Sequence, residues 1–223
     1  CWRDVRLALR ITRGDWRLLR ALGCLALVVA LVAMSAVMGP VFAVSVLRGR
    51  AWDAALLAVP YAAGFGLAVA AMRAGMATYG LARPMTSGLL IVGGVLLLLG
   101  AAKTGSNYVV HNLLGRVIDT RRAVVDIVPL ALLLLGALGA GCGVLWFAAS
   151  RSLLQWWPDQ RRDRLQALLV TLTAAAALPP AALVGGAVDA LGVNKTMAVL
   201  GVFWLAAGAI AWRFEHSDAA TNA

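Results

Sequence analysis

Apolar runs of about twenty residues recur along this chain, divided by short segments rich in arginine. A helix needs about 20 mostly apolar residues to cross the ~30 Å hydrocarbon core of a bilayer. Six stretches meet that requirement: 21–47, 54–72, 85–102, 124–149, 165–188 and 196–212. Each run is continuous, without the period-two alternation of a barrel strand, so helices are expected. The expected fold class is an all-α integral membrane protein with six transmembrane helices. Composition agrees: 62% of residues are hydrophobic and 13% are charged, against about 45–50% and about 25% in soluble domains. A six-span domain over 21–213 is expected between a basic arm, 1–20, and a tail, 214–223.

A net charge of +10 in a soluble chain would point to nucleic acid. Here most basic residues lie between the apolar runs, and none forms a patch interleaved with aromatics. They orient the chain in a bilayer instead, so the lipid bilayer is the expected partner and nucleic acid is not. With the arm placed inside, Arg3, Arg6, Arg10, Arg13, Arg17 and Arg20 are cytoplasmic. So are Arg73, Arg83, Arg151, Arg161, Arg162, Arg164 and Arg213. The outer set is smaller: Arg48, Arg50, Lys103, Arg116, Arg121, Arg122 and Lys195. Short loops rich in Lys and Arg stay on the cytoplasmic side, so both termini are expected inside the cell inner membrane. The loop 103–122 is basic yet external in this arrangement. Arg outnumbers Lys, and Ala, Leu, Val and Gly dominate, a bias typical of a GC-rich bacterial genome.

Trp16, Trp52, Trp156, Trp157, Trp204 and Trp212 fall near predicted span ends, as in an interfacial aromatic belt. Stacking on a substrate is the alternative role. In the arm, arginines recur every three or four residues. That suits either a basic amphipathic helix on an anionic leaflet or a solvated linker. Pro40, Pro60, Pro129, Pro179 and Pro180 interrupt the apolar runs. Such breaks are tolerated in a bundle, and they can also act as hinges. Small residues collect where helices approach closely in lipid. Gly139 and Gly143, a small-xxx-small pair, and Gly185 and Gly186 are therefore candidate packing positions. Sliding interfaces would use the same residues.

Little in the chain could do covalent chemistry. The two His, His111 in a polar loop and His216 in the tail, belong to no catalytic set. Cys1, Cys24 and Cys142 lack metal or redox spacing. Neither an enzyme nor a cofactor or metal is expected. Cys1 could carry a lipid, although a truncated chain is the expectation. Asn194, Lys195 and Thr196 spell a glycosylation acceptor, read here as chance. Among the carboxylates Asp126 stands out, just inside the fourth span and three residues before Pro129. Ionisable groups in a membrane often mark pathways. Asp126 is thus a candidate for a pathway or coupling role, with an interfacial pairing to Arg122 one turn back as the other reading.

Gln155, Pro158, Asp159, Arg162, Arg164 and Leu165 follow one another in an order that resembles the major facilitator superfamily. The likeness is to the bacterial drug and siderophore exporters of that superfamily, in the loop after the tenth span. Asp163 stands where the family has Gly. Farther on, Gly185, Gly186, Asp189 and Gly192 resemble the end of the eleventh span. Met38, Gly39 and Pro40 are similar to the seventh, and Gly64 and Gly66 with Arg73 and Arg83 to a degraded eighth. The resemblance implies the C-terminal six-span half of a twelve-span carrier. It implies secondary active transport, probable export, of a small-molecule substrate by alternating access. Its partner would be a missing N-terminal six-span half, or a homodimer partner. The basic loop would latch cytoplasmic helix ends in one state. The long 103–123 connection departs from the family, and an internal repeat is not legible in the sequence. The alternative is a non-transporting six-span scaffold or degenerate remnant.

Overall fold

A computed structural model describes residues 16–45, 54–75, 82–112, 120–156 and 162–221. Side-chain placement is described for 20–44, 55–75, 84–101, 131–155 and most of 178–213. Among these residues the chain is all-helical: α1 Trp16–Ser45, α2 Ala54–Gly75, α3 Ala82–Asn112, α4 Thr120–Trp156, α5 Arg162–Leu191 and α6 Val193–Thr221. Five helices are long and apolar enough to cross a membrane, at Arg20–Val44, Ala55–Gly75, Pro84–Ala101, Ala131–Gln155 and Val193–Arg213. That is the pattern of a multi-pass membrane protein. In α5 the described apolar stretch is Leu178–Leu191. In hydrocarbon every backbone N–H and C=O must be bonded within the segment, which a helix achieves alone. Pro40 in α1, Pro60 in α2 and Pro179 and Pro180 in α5 lie inside their helices without ending them.

The basic loop expected at 103–122 is largely helix. α3 continues to Asn112, carrying His111, and α4 begins at Thr120. At 37 residues α4 is about 55 Å long, well beyond the hydrocarbon core. Hydropathy marks where an apolar solvent ends; it does not mark where the backbone stops being helical. For the same reason α6 runs on through Thr221, so 214–221 is helical.

Apart from α3 and α4, sequence neighbours are not the main spatial neighbours. α2 packs chiefly on α4, α5 chiefly on α1, and α3 on both α4 and α6, while α1 and α4 meet across the middle. Calling 16–112 and 120–221 two three-helix units, the second helix of each therefore lies against the first helix of the other. α1 and α6 scarcely touch, although their counterparts α4 and α3 pack extensively.

A stripe of buried positions runs along α3 and α4: Met85, Leu89, Val92, Leu96 and Leu99 on α3, and Ala131, Leu134, Leu138, Cys142, Leu145, Ala149 and Leu153 on α4, with Val95, Phe147 and Ala148 buried beside them. Steps of three and four, alternating on α3, keep these positions on one face of each helix. Equally apolar residues on the other faces are bare: Leu67 is 71% exposed and Leu183 73%. Trp204, expected at the bilayer surface, is instead in the middle of the α6 span and 2% exposed. Position 204 is already the midpoint of the expected span 196–212, so its assignment to the aromatic belt did not follow from that span.

Two polar ties hold helix ends. Arg20 of α1 donates from Nη2 to Oγ1 of Thr86 on α3 at 3.2 Å, fixing both helix starts at one end. At the α5–α6 junction Gly192 has φ of +80° and donates its N–H to Val188 O at 2.9 Å. This is the left-handed C-terminal cap that glycine adopts freely. The Thr196 hydroxyl then donates to Gly192 O at 2.9 Å and Ala187 O at 3.2 Å. A Gly192→Ala variant is expected to lose about 1–2 kcal/mol from the left-handed backbone alone. Denaturant titration in mixed micelles measures it, and an unshifted midpoint would mean that the junction relaxes.

Candidate functional site

The residues singled out in the sequence do not converge on one described site. Asp126 lies in α4, six residues after its start at Thr120, and its side chain is outside the described residues. Gln155 is exposed at the end of α4. Arg162 and Arg164 occupy the first turn of α5, again without described side chains, and Pro158 and Asp159 lie outside the described residues. Nearby, Arg151 sits 5.8 Å over the Phe147 ring, a cation–π pair at the same end of α4. Among the described residues no cluster of His, Cys, Asp and Glu could hold a metal ion.

The candidate packing glycines divide sharply. A Cβ on Gly139 would collide with the backbone carbonyl of Tyr61, and one on Gly143 would lie 2.6 Å from Phe65 O. From the other side, a Cβ on Gly64 would strike Gly136 O. The order of these contacts makes α2 and α4 parallel, with their backbones nearly touching. Gly185 and Gly186, by contrast, have nothing within 4 Å of an added Cβ. They mark no close helix approach among the described residues, contrary to expectation. A glycine pair that faces outward on a helix is indistinguishable in sequence from one that faces a partner.

A second glycine seam escaped the sequence reading. Gly93 and Gly100 of α3 meet Leu205 and Ala198 of α6, and Gly201 of α6 meets Leu97 of α3. These two helices run antiparallel. The available signal was spacing: Gly93 and Gly100, and Gly201 and Gly208, are each seven residues apart. Seven residues is two helical turns, so each pair shares a face.

Where α1 and α6 fail to pack, a cavity of about 410 Å³ opens. The C-terminal half of α1 and the start of α2 form one side, and Leu96, Leu99, Leu138 and Met197 form the floor. Polar groups are few: Ser35 of α1 and Tyr61 of α2. The Tyr61 hydroxyl is buried and lies beside the Cys142 thiol on α4. Three of the six Met residues, Met34, Met38 and Met197, line the space. Methionine is unbranched and polarizable, so it moulds to irregular guests. The sequence held one clue, since Met34 and Met38 are one turn apart on the same face. Drug-sized ligands occupy clefts of about 300–1,000 Å³ lined mostly by apolar side chains with a few polar ones. The arrangement can bind a neutral, lipophilic molecule.

No protein family model matches the chain, and no curated protein or solved structure matches it.

Proposed function

We propose that this chain is one six-span half of a secondary active carrier. It moves a small molecule across the cytoplasmic membrane, in the export direction, with both termini in the cytoplasm. The observation that supports this reading is the crossed packing of the two three-helix units: α2 on α4, α5 on α1, α3 against α6. A unit of three spans necessarily enters the membrane from the opposite side when it recurs. Crossed packing of this kind is what two inverted repeats produce, and many carriers are built that way. The resemblance of Gln155, Pro158, Asp159, Arg162 and Arg164 to the exporters' cytoplasmic loop supports the same reading. Alternating access then requires a second six-span half, on the same polypeptide or as a second copy of this chain.

The test is export itself. In bacteria stripped of their own efflux pumps, the protein in its native polypeptide context lowers steady-state ethidium accumulation several-fold, and a protonophore reverses the effect. Single cysteines placed at 58 and 155, near opposite helix ends, change reagent accessibility in opposite directions when substrate is added. Joint protection, or no change at either position across a panel of cationic and neutral dyes, would rule out alternating access and leave a static scaffold.

A further inference from the structure

We infer that the cavity between α1, α2 and α6 is a lipid site that takes one acyl chain from the surrounding bilayer through a lateral opening. Its rim is made of Val32, Ala36 and Pro40 on α1 and Ala55 and Ala58 on α2, all of them exposed. These residues lie in or at the edge of the apolar spans Arg20–Val44 and Ala55–Gly75, so the opening faces sideways at hydrocarbon depth. α1 and α2 make few contacts with each other, which leaves the gap between them open.

Three features select a hydrocarbon chain. No charged side chain lines the space, so a headgroup or ionised ligand would meet nothing to offset its desolvation. From Leu31 to Phe42 the lining of α1 rises about 16 Å, roughly half the hydrocarbon thickness, which is the depth of one leaflet. The volume of about 410 Å³ is nearly three times that of an apolar cavity of about 150 Å³ that stays dry and binds benzene. An apolar space of that size beside lipid is filled most cheaply by the lipid itself, because a chain restores dispersion contacts that a void forfeits. The site lies within a single six-helix set. It stands or falls separately from the carrier reading.

The probe is a phosphatidylcholine carrying a diazirine midway along one acyl chain, in nanodiscs with the whole chain. After irradiation, peptides are mapped by mass spectrometry. Met38 and Trp204 are both buried, at 4% and 2% exposed, but only Met38 lines the cavity. Label is expected on Met34 and Met38, saturable with unlabelled lipid, and absent from Trp204. Filling the cavity with Ser35→Phe and Ala58→Phe abolishes that label while leaving the label on the exposed α6 face, Val199 and Phe203, unchanged. Helical circular dichroism and thermal melting check that the filled variant folds; if it does not, the contrast between Met38 and Trp204 in the unaltered protein decides alone. Equal labelling of Met38 and Trp204 would overturn the proposal, as would cavity label that survives filling. So would label at Met34 and Met38 from free photoreactive dodecanol but none from the phospholipid.

Discussion

Gly139→Ala is expected to weaken the fold more than any other single-methyl addition along α4. The new Cβ points into the carbonyl oxygen of Tyr61, a backbone atom that cannot rotate away. Either α2 moves outward or the seam loses its contacts, including those of Gly143 with Phe65 and Ala68. Overpacking of a close interface costs about 1–3 kcal/mol, and here it is not offset by hydrophobic gain, since lipid is as apolar as the seam. The internal control is Gly185→Ala. Its Cβ meets open space, and alanine is favoured over glycine in a helix interior by up to about 1 kcal/mol. SDS titration of helicity in mixed micelles reads both variants. A lowered midpoint for the first and an equal or raised one for the second is the expected pair. Equal midpoints would place α2 away from α4.

Trp204→Ala should be the most damaging truncation on α6. The side chain is 2% exposed and belongs to the main core cluster. In soluble proteins removing a buried Trp costs about 3–5 kcal/mol, part transfer and part cavity. Within a bilayer the transfer part shrinks because the unpacked helix still lies in hydrocarbon, which leaves about 2–3 kcal/mol of lost packing. Trp212, 53% exposed near the end of the same span, provides the comparison. Trp212→Ala is expected to leave the midpoint nearly unchanged. The same titration, read by near-ultraviolet dichroism, separates the two. If both truncations cost the same, Trp204 is a surface anchor after all.

Much of the helical outline was legible before any coordinates. Continuous apolar stretches of bilayer length fall within all six described helices, five of which are long and apolar enough to span a membrane, and the α2 start at Ala54 coincides with the expectation. The 103–112 extension of α3 and the 120–123 start of α4 were misplaced because helix ends were read off hydropathy. Polar residues end the contact with lipid without ending the helix. The cavity was not legible because its lining comes from five helices far apart in the chain; the pair Met34 and Met38, one turn apart, marks a face of α1 but not what lies opposite it.

The sequence by itself determined that the described residues are helical, that several segments are long and apolar enough for a bilayer, and which of the gaps are basic. Those properties depend on local composition and on the need to satisfy backbone polar groups within each segment. Only the tertiary structure decided which face of each helix is buried. In a soluble helix the polar face reveals the buried one, but here every face is apolar and burial is set by shape. Gly139 and Gly185 look alike in the sequence; one touches the backbone of α2 and the other touches nothing. The crossed pairing of α2 with α4 and α5 with α1, and the gap left between α1 and α6, arise from how such surfaces fit together. That fit is a property of five or six helices at once, and no single segment encodes it.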